Sequence, residues 1–277
     1  MEIVKHPSDE GAYFKEPHPK DSIFLHHSSG YFRPDWLINS WGRDRAESTN
    51  KIRSGSAFVI GGSDITSGNV KEFNGKVFSA FSPENWSHHL FIKARNNTFL
   101  NQKSIGIEIC NYGELIKTSS GEFYTSSHIK VPEDQVTILD SPFRGFKYFH
   151  SYTQEQIESL YDLLRNLSES FEIDLKRGMK REIAKTQLSL PKDLNKEEYL
   201  KWLNKNGLTD KFGKRFTEKS LDDKTIKEIL EENKKDAFEV SQEALMGGQG
   251  LWSHTNVRAD VKSIYPSPLI IQLINSL

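Results

Sequence analysis

The sequence predicts an α/β or α+β fold with one main sheet covered by helices. Three observations predict it. Four short apolar runs end at polar or glycine-containing loops, the pattern of central strands buried on both faces. The gaps between the runs are long enough to hold helices. Two further segments carry apolar residues at helical spacing.

The first run, Ser22-Ile23-Phe24-Leu25, stops at His26-His27-Ser28-Ser29-Gly30. Pro34 to Trp41 reads as a helix in the gap that follows. Ser56-Ala57-Phe58-Val59-Ile60 is the second strand and stops at Gly61-Gly62. The third, Ser104 to Ile109, alternates and ends at Asn111-Tyr112-Gly113. A helix is expected over 153–173: Thr153 and Gln156 form a capping-box pair, and Ile157, Leu160, Leu164, Leu167 and Phe171 share one face. Residues 174–236 change in texture, with nearly half of them charged and few aromatic. Ser220 opens a second helix there, carrying Leu221, Ile226, Ile229 and Leu230, and Tyr199, Trp202 and Leu203 supply a small core. The last strand, Gly250 to Ser253, leads into His254, and an apolar helix runs from Leu269 to Leu277 after Ser267-Pro268. Because 237–277 resembles 1–150 in texture, the simplest organisation is one domain over 1–277 with a charged helical insertion over 174–236. That insertion reads as a solvated lobe or lid, with a surface for wall polymer or a protein as the alternative.

Composition excludes several classes. Lys and Arg number 37 against 38 Asp and Glu, which argues against a broadly basic nucleic-acid binder. The Lys pairs of the insertion, such as Lys234-Lys235, are mixed with acids and argue the same way. One cysteine, Cys110, excludes an internal disulfide framework. No apolar run approaches the roughly 20 residues of a membrane span. Met1 to Glu10 is polar and shows no secretory h-region, so the expectation is a protein made in the cytoplasm, acting on any outside target after release or non-Sec export.

Three positions stand out chemically. His26 ends a buried strand and His254 follows another, and sites on α/β sheets gather where strands end. Two such imidazoles suit a shared metal, with zinc needing about three protein ligands and an open position for catalysis. Glu108 interrupts an apolar run with the opposite parity to Ile105, Ile107 and Ile109. It is either a solvent-facing strand position or a carboxylate on the functional face, where burial raises its pKa and suits it to accept a proton from water.

Taken in order, Ile23 to Gly30, Ser56 to Ile60, Trp86-Ser-His-His-Leu90, Asn101 to Gly113 and Gly250 to Arg258 through Tyr265-Pro266-Ser-Pro268 resemble the blocks of the type-2 N-acetylmuramoyl-L-alanine amidases. That superfamily also holds the phage lysozyme-type amidases and the peptidoglycan recognition proteins. The likeness covers roughly residues 20–173 and 237–277, and Ser-Ile-Gly-Ile-Glu is its most specific piece. It implies an α/β fold with a central mixed β-sheet flanked by helices. It implies a Zn2+ hydrolase that cleaves the amide between N-acetylmuramic acid and the L-alanine of the stem peptide, with peptidoglycan or muropeptide fragments as partners. His26 and His254 match the zinc ligands, Glu108 the acid/base carboxylate, and His89 a substrate or transition-state contact or else a structural loop histidine. His27, after the ligand, packs or hydrogen-bonds behind the site.

The third ligand departs from the pattern. With Tyr265-Pro266 in register, the expected Cys or Asp falls at Ser263, a poor zinc ligand at neutral pH. Asp260 is the nearest carboxylate, and Lys262 lies one place from the oxyanion lysine. Three readings stand: Asp260 reaches the metal, zinc rests on two histidines and water, or the fold is a non-catalytic peptidoglycan-binding module. A different metal-dependent amidase or peptidase on the same fold is a further alternative. A phage lysin, a recycling enzyme and an exported effector all fit equally.

Overall fold

The computed structural model describes residues 2–30, 32–46, 53–63, 71–93, 95–188, 194–208, 215–217, 237–260 and 263–277. The expected strands assemble into one six-stranded mixed sheet. Its strands are β1 (Ile3–Lys5), β2 (Ser22–His27), β3 (Phe58–Ile60), β4 (Val77–Ser79), β5 (Ser104–Ile109) and β11 (Gly250–Ser253), in the order β1-β4-β3-β5-β2-β11. All neighbours run parallel except β3 and β4. All six residues of β2 are buried, as the central position requires.

β2 does not stop at Leu25. It continues through His26 and His27, because Glu108 and Ile109 of β5 extend the pairing by two residues. The second expected strand is shorter than its apolar run, Phe58–Ile60, and pairs with both β5 and β4.

Helices cover the sheet. α1 (Pro34–Ala46) fills the first gap, and α2 (Asn97–Lys103) leads directly into β5. α3 (Gln154–Phe171) starts at the expected capping box, with Thr153 and Gln156 each satisfying the other's backbone N–H. It buries Ile157, Leu160, Leu163, Leu164 and Leu167 and ends at Glu172 in the left-handed region. α4 (Met179–Thr186) contributes Met179 and Ile183 to the main core. α5 (Lys196–Lys205) instead feeds a separate cluster of Leu203, Leu208 and Phe216, with Leu200 and Trp202 against it. α6 (Gln242–Leu245) precedes β11, and α7 (Pro268–Ser276) buries Ile270, Leu273 and Ile274. The helix expected from Ser220, and Lys234-Lys235, lie outside the described residues.

Beside the expected main sheet stands a second, antiparallel one that the sequence reading did not include. Its strands are β6 (Glu114–Lys117), β7 (Phe123–Thr125), β8 (Lys130–Val131), β9 (Val136–Phe143) and β10 (Phe146–His150), in the order β8-β7-β6-β10-β9. Its β9–β10 hairpin turns on Arg144 and Gly145, both at positive φ, 50° and 88°. That is the two-residue turn whose twist suits a hairpin. Leu139, Phe143 and Phe149 join the main core, while Leu115, Phe123 and Val131 form a cluster of their own. No helix among the described residues is long and apolar enough to cross a membrane.

Candidate active site

The carboxyl ends of the parallel strands β11, β2 and β5 carry His254, His26 and Glu108 side by side. β11 pairs with β2 so that Ser253 faces Leu25, and β2 pairs with β5 so that His26 faces Glu108. Side chains opposite one another in such a ladder share a face of the sheet. The parity break at Glu108 therefore puts its carboxylate beside His26. Gly106, two residues earlier, leaves room on that face: a Cβ there would stand 2.9 Å from Ser56 Oγ and 3.1 Å from the His89 ring.

The hydrogen bonds assign the tautomers. Ser104 Oγ donates to the Leu100 carbonyl at 2.7 Å, so it accepts from His89 Nε2 at 2.8 Å. His89 Nδ1 is then the acceptor for His26 Nε2 at 3.0 Å. This leaves a lone pair on His26 Nδ1. His254 Nε2 donates to the Leu90 carbonyl at 2.8 Å, which leaves a lone pair on His254 Nδ1 as well. Among the described residues neither Nδ1 has a hydrogen-bond partner. The His26 and His254 ring centroids lie 4.5 Å apart.

Burial keeps these rings neutral. It drives His26 and His89 well below the usual imidazole range, with His254 adding to both shifts. It lowers His254 to about 4. Burial acts on Glu108 in the opposite sense, pushing its carboxyl up to about 8 against a hydrogen bond from Ser56 Oγ at 3.5 Å. The result is two neutral nitrogen donors beside a carboxyl tuned to exchange a proton near neutral pH.

A cavity of about 360 Å³ opens over these groups, lined also by His27, Ser29, Phe91, Glu114, Asp260 and Ser263. Two imidazole lone pairs fit a zinc ion, but the expected three-residue ligand set is not assembled. No group of three His, Cys, Asp or Glu among the described residues is arranged to hold a metal. Asp260 reaches the cavity wall with both oxygens engaged by Arg258, at 2.9 and 2.5 Å, and this contact holds its carboxyl down to about 2. Ser263 Oγ accepts the His27 backbone N–H at 3.0 Å.

Of the two readings of His89, the geometry favours the structural one. Both of its ring nitrogens are taken by His26 and Ser104, so its part in this arrangement is to orient His26. His27 turns to the other face, where its Nδ1 lies 3.0 Å from the Tyr152 hydroxyl. Lys262 lies outside the described residues. The sequence reading missed Ser104, Ser56 and the Leu90 carbonyl. Ser104 shares the parity of Glu108 and was within reach of that argument; a backbone carbonyl leaves no trace in residue types.

A family model described as N-acetylmuramoyl-L-alanine amidase matches residues 16–187, more than half of the chain. No curated protein matches. Among solved structures, the N-acetylmuramoyl-L-alanine amidase LysC from Clostridium intestinale is 14% identical, with a TM-score of 0.35 over 62% of this chain and 78% of its own. A mutant endolysin from Bacillus subtilis is 11% identical, with a TM-score of 0.33 over 63% and 80%. Drosophila peptidoglycan recognition protein SD is 15% identical, with a TM-score of 0.34 over 64% and 80%.

Proposed function

The chain belongs to the N-acetylmuramoyl-L-alanine amidase family, and from that premise we propose that it hydrolyses the amide between N-acetylmuramic acid and the L-alanine of the stem peptide. The carrying observation is the juxtaposition of two unpartnered imidazole nitrogens with Glu108 on neighbouring strand ends. His26 and His254 would hold zinc through Nδ1, with Asp260 as third donor once it leaves Arg258. When bound there, the ion's contribution is Lewis acidity, which polarises the scissile carbonyl and makes water a stronger acid.

The chain's own groups do the rest. Glu108 accepts the proton of the attacking water and returns it to the leaving L-alanine amine. His89 and the Leu90 carbonyl keep the two imidazoles in the tautomers that present Nδ1. Lys262 supplies positive charge to the carbonyl oxygen as it becomes an oxyanion. The substrate is peptidoglycan or a muropeptide fragment.

One observation favours the second reading, a non-catalytic peptidoglycan-binding module: the bidentate grip of Arg258 on Asp260. Zinc content, together with peptidoglycan digestion before and after chelation, separates the two. About one zinc per chain and chelator-sensitive release of L-alanine amines are expected. Binding to peptidoglycan with neither zinc nor release would establish the module instead.

A further inference from the structure

Phe91 is the one hydrocarbon side chain among the described residues lining the cavity; the rest are histidines, carboxylic acids and serines. It is 41% exposed, and its backbone is left-handed at φ 49°. A bulky residue rarely adopts that conformation. The surrounding loop enforces it. His89 and Leu90 both donate backbone N–H groups to Asn101 Oδ1, at 2.8 and 3.0 Å, and Ile92 donates to Asn97 Oδ1 at 2.9 Å. Leu90 is wholly buried, and its carbonyl holds His254. Anchors on both sides thus hold a bare aromatic ring at the cavity lip, and strain maintained in this way gathers at ligand-contacting positions.

We propose that Phe91 is a sugar-contacting specificity residue, its ring packing on the apolar face of the muramoyl pyranose. This rests on the amidase reading above. A pyranose has a flat C–H face and polar edges. A single exposed ring in an otherwise polar cavity matches that amphipathic shape, because the face finds hydrocarbon and the edges find hydrogen-bonding groups. On the other side of the scissile amide stands alanine, whose methyl group offers little for an aromatic ring to cover. The large apolar surface near the bond is therefore the sugar.

The test compares two substrates sharing the scissile amide, N-acetylmuramoyl-L-alanyl-D-isoglutamine and N-lactoyl-L-alanyl-D-isoglutamine, which lacks the ring. Phe91→Ala should raise KM for the muramoyl peptide about tenfold, with kcat changed by less than about twofold, and leave the lactoyl peptide unaffected. Phe91→Trp should restore KM. Phe91→Gly should raise KM as alanine does while keeping or raising the Tm, since glycine accepts positive φ. An equal loss on both substrates, or none on the muramoyl peptide, overturns the proposal. If the wild type cleaves neither peptide, the amidase reading fails, and calorimetric Kd values decide Phe91 separately. A tenfold weaker Kd for the muramoyl peptide in Phe91→Ala upholds the contact; equal affinity, or no binding by the wild type, overturns it.

Discussion

Glu108 shows how much one side chain's surroundings decide. Burial holds its carboxyl at about 8, far above an ordinary glutamate. The folded, metal-free protein therefore binds a proton that the unfolded chain releases. The sign follows from linkage: stability from this group is fully present below pH 4.5 and is lost as pH rises through 8. Glu108→Gln, which keeps the shape and removes the ionisation, should abolish hydrolysis by at least about 100-fold. It should also flatten the loss of urea resistance between pH 6 and 9. An unchanged pH slope would show that the carboxyl is not held protonated. Cys110 makes the complementary case. It is 1% exposed, and burial, reinforced by Glu108, pushes its thiol well above the usual range. A disulfide reagent at pH 8 should leave it unmodified in the native protein and titrate one thiol in denaturant; fast native modification would contradict this packing.

At the scale of the element, the site depends on the loop before α2 as much as on the strands. Asn101 is fully buried, accepts two backbone N–H groups from His89 and Leu90, and donates to the Asn97 carbonyl at 2.7 Å. Asn101→Ala leaves two buried donors unsatisfied, at a cost of about 2–4 kcal/mol. Because the same loop orients His26 and His254, zinc affinity should fall along with stability. Urea denaturation and a competitive zinc titration check the pair of effects, and weakened stability with unchanged zinc binding would separate the loop from the site. The same scale shows what the sequence made legible. Strand ends at His26 and His254 and the parity of Glu108 were readable, because buried strands and a period of two leave local signatures. The capping box at Thr153 was equally local. The second sheet was not read, although Arg144-Gly145 between Phe143 and the aromatic-rich run Phe146–His150 is a hairpin signal. Its short strands alternate imperfectly and share their apolar residues between two cores. The bidentate contact that holds Asp260 depends on Arg258, two residues away, and no spacing rule distinguishes an ion pair there from a metal ligand.

For the whole molecule, the consequence of building a site at the strand ends of the main sheet is a store of buried neutral histidines behind it. His27 and His150 are 5% and 3% exposed. Burial lowers His27 to about 3, helped by His150 and His254, and lowers His150 to about 4. Both groups are neutral in the fold between those values and 6.5, while the unfolded chain takes up protons there. Their folded pKa values are depressed, so the stability they permit is present above pH 6.5 and is lost as pH falls through 4. For His150 alone the shift corresponds to about 3 kcal/mol, a large share of the 5–15 kcal/mol that holds a domain together. The protein should therefore unfold cooperatively on acidification between pH 6 and 4, losing both sheets together because Phe149 of β10 sits in the same core as the main sheet, stacked on Tyr265 at 4.3 Å. His150→Gln removes the ionisation while keeping a polar side chain, and should move the acid midpoint downward by a few tenths of a pH unit or more. Equilibrium urea curves at pH 7, 5 and 4 read this directly. A midpoint that stays in place would assign the acid sensitivity to carboxylates rather than to the histidines behind the site.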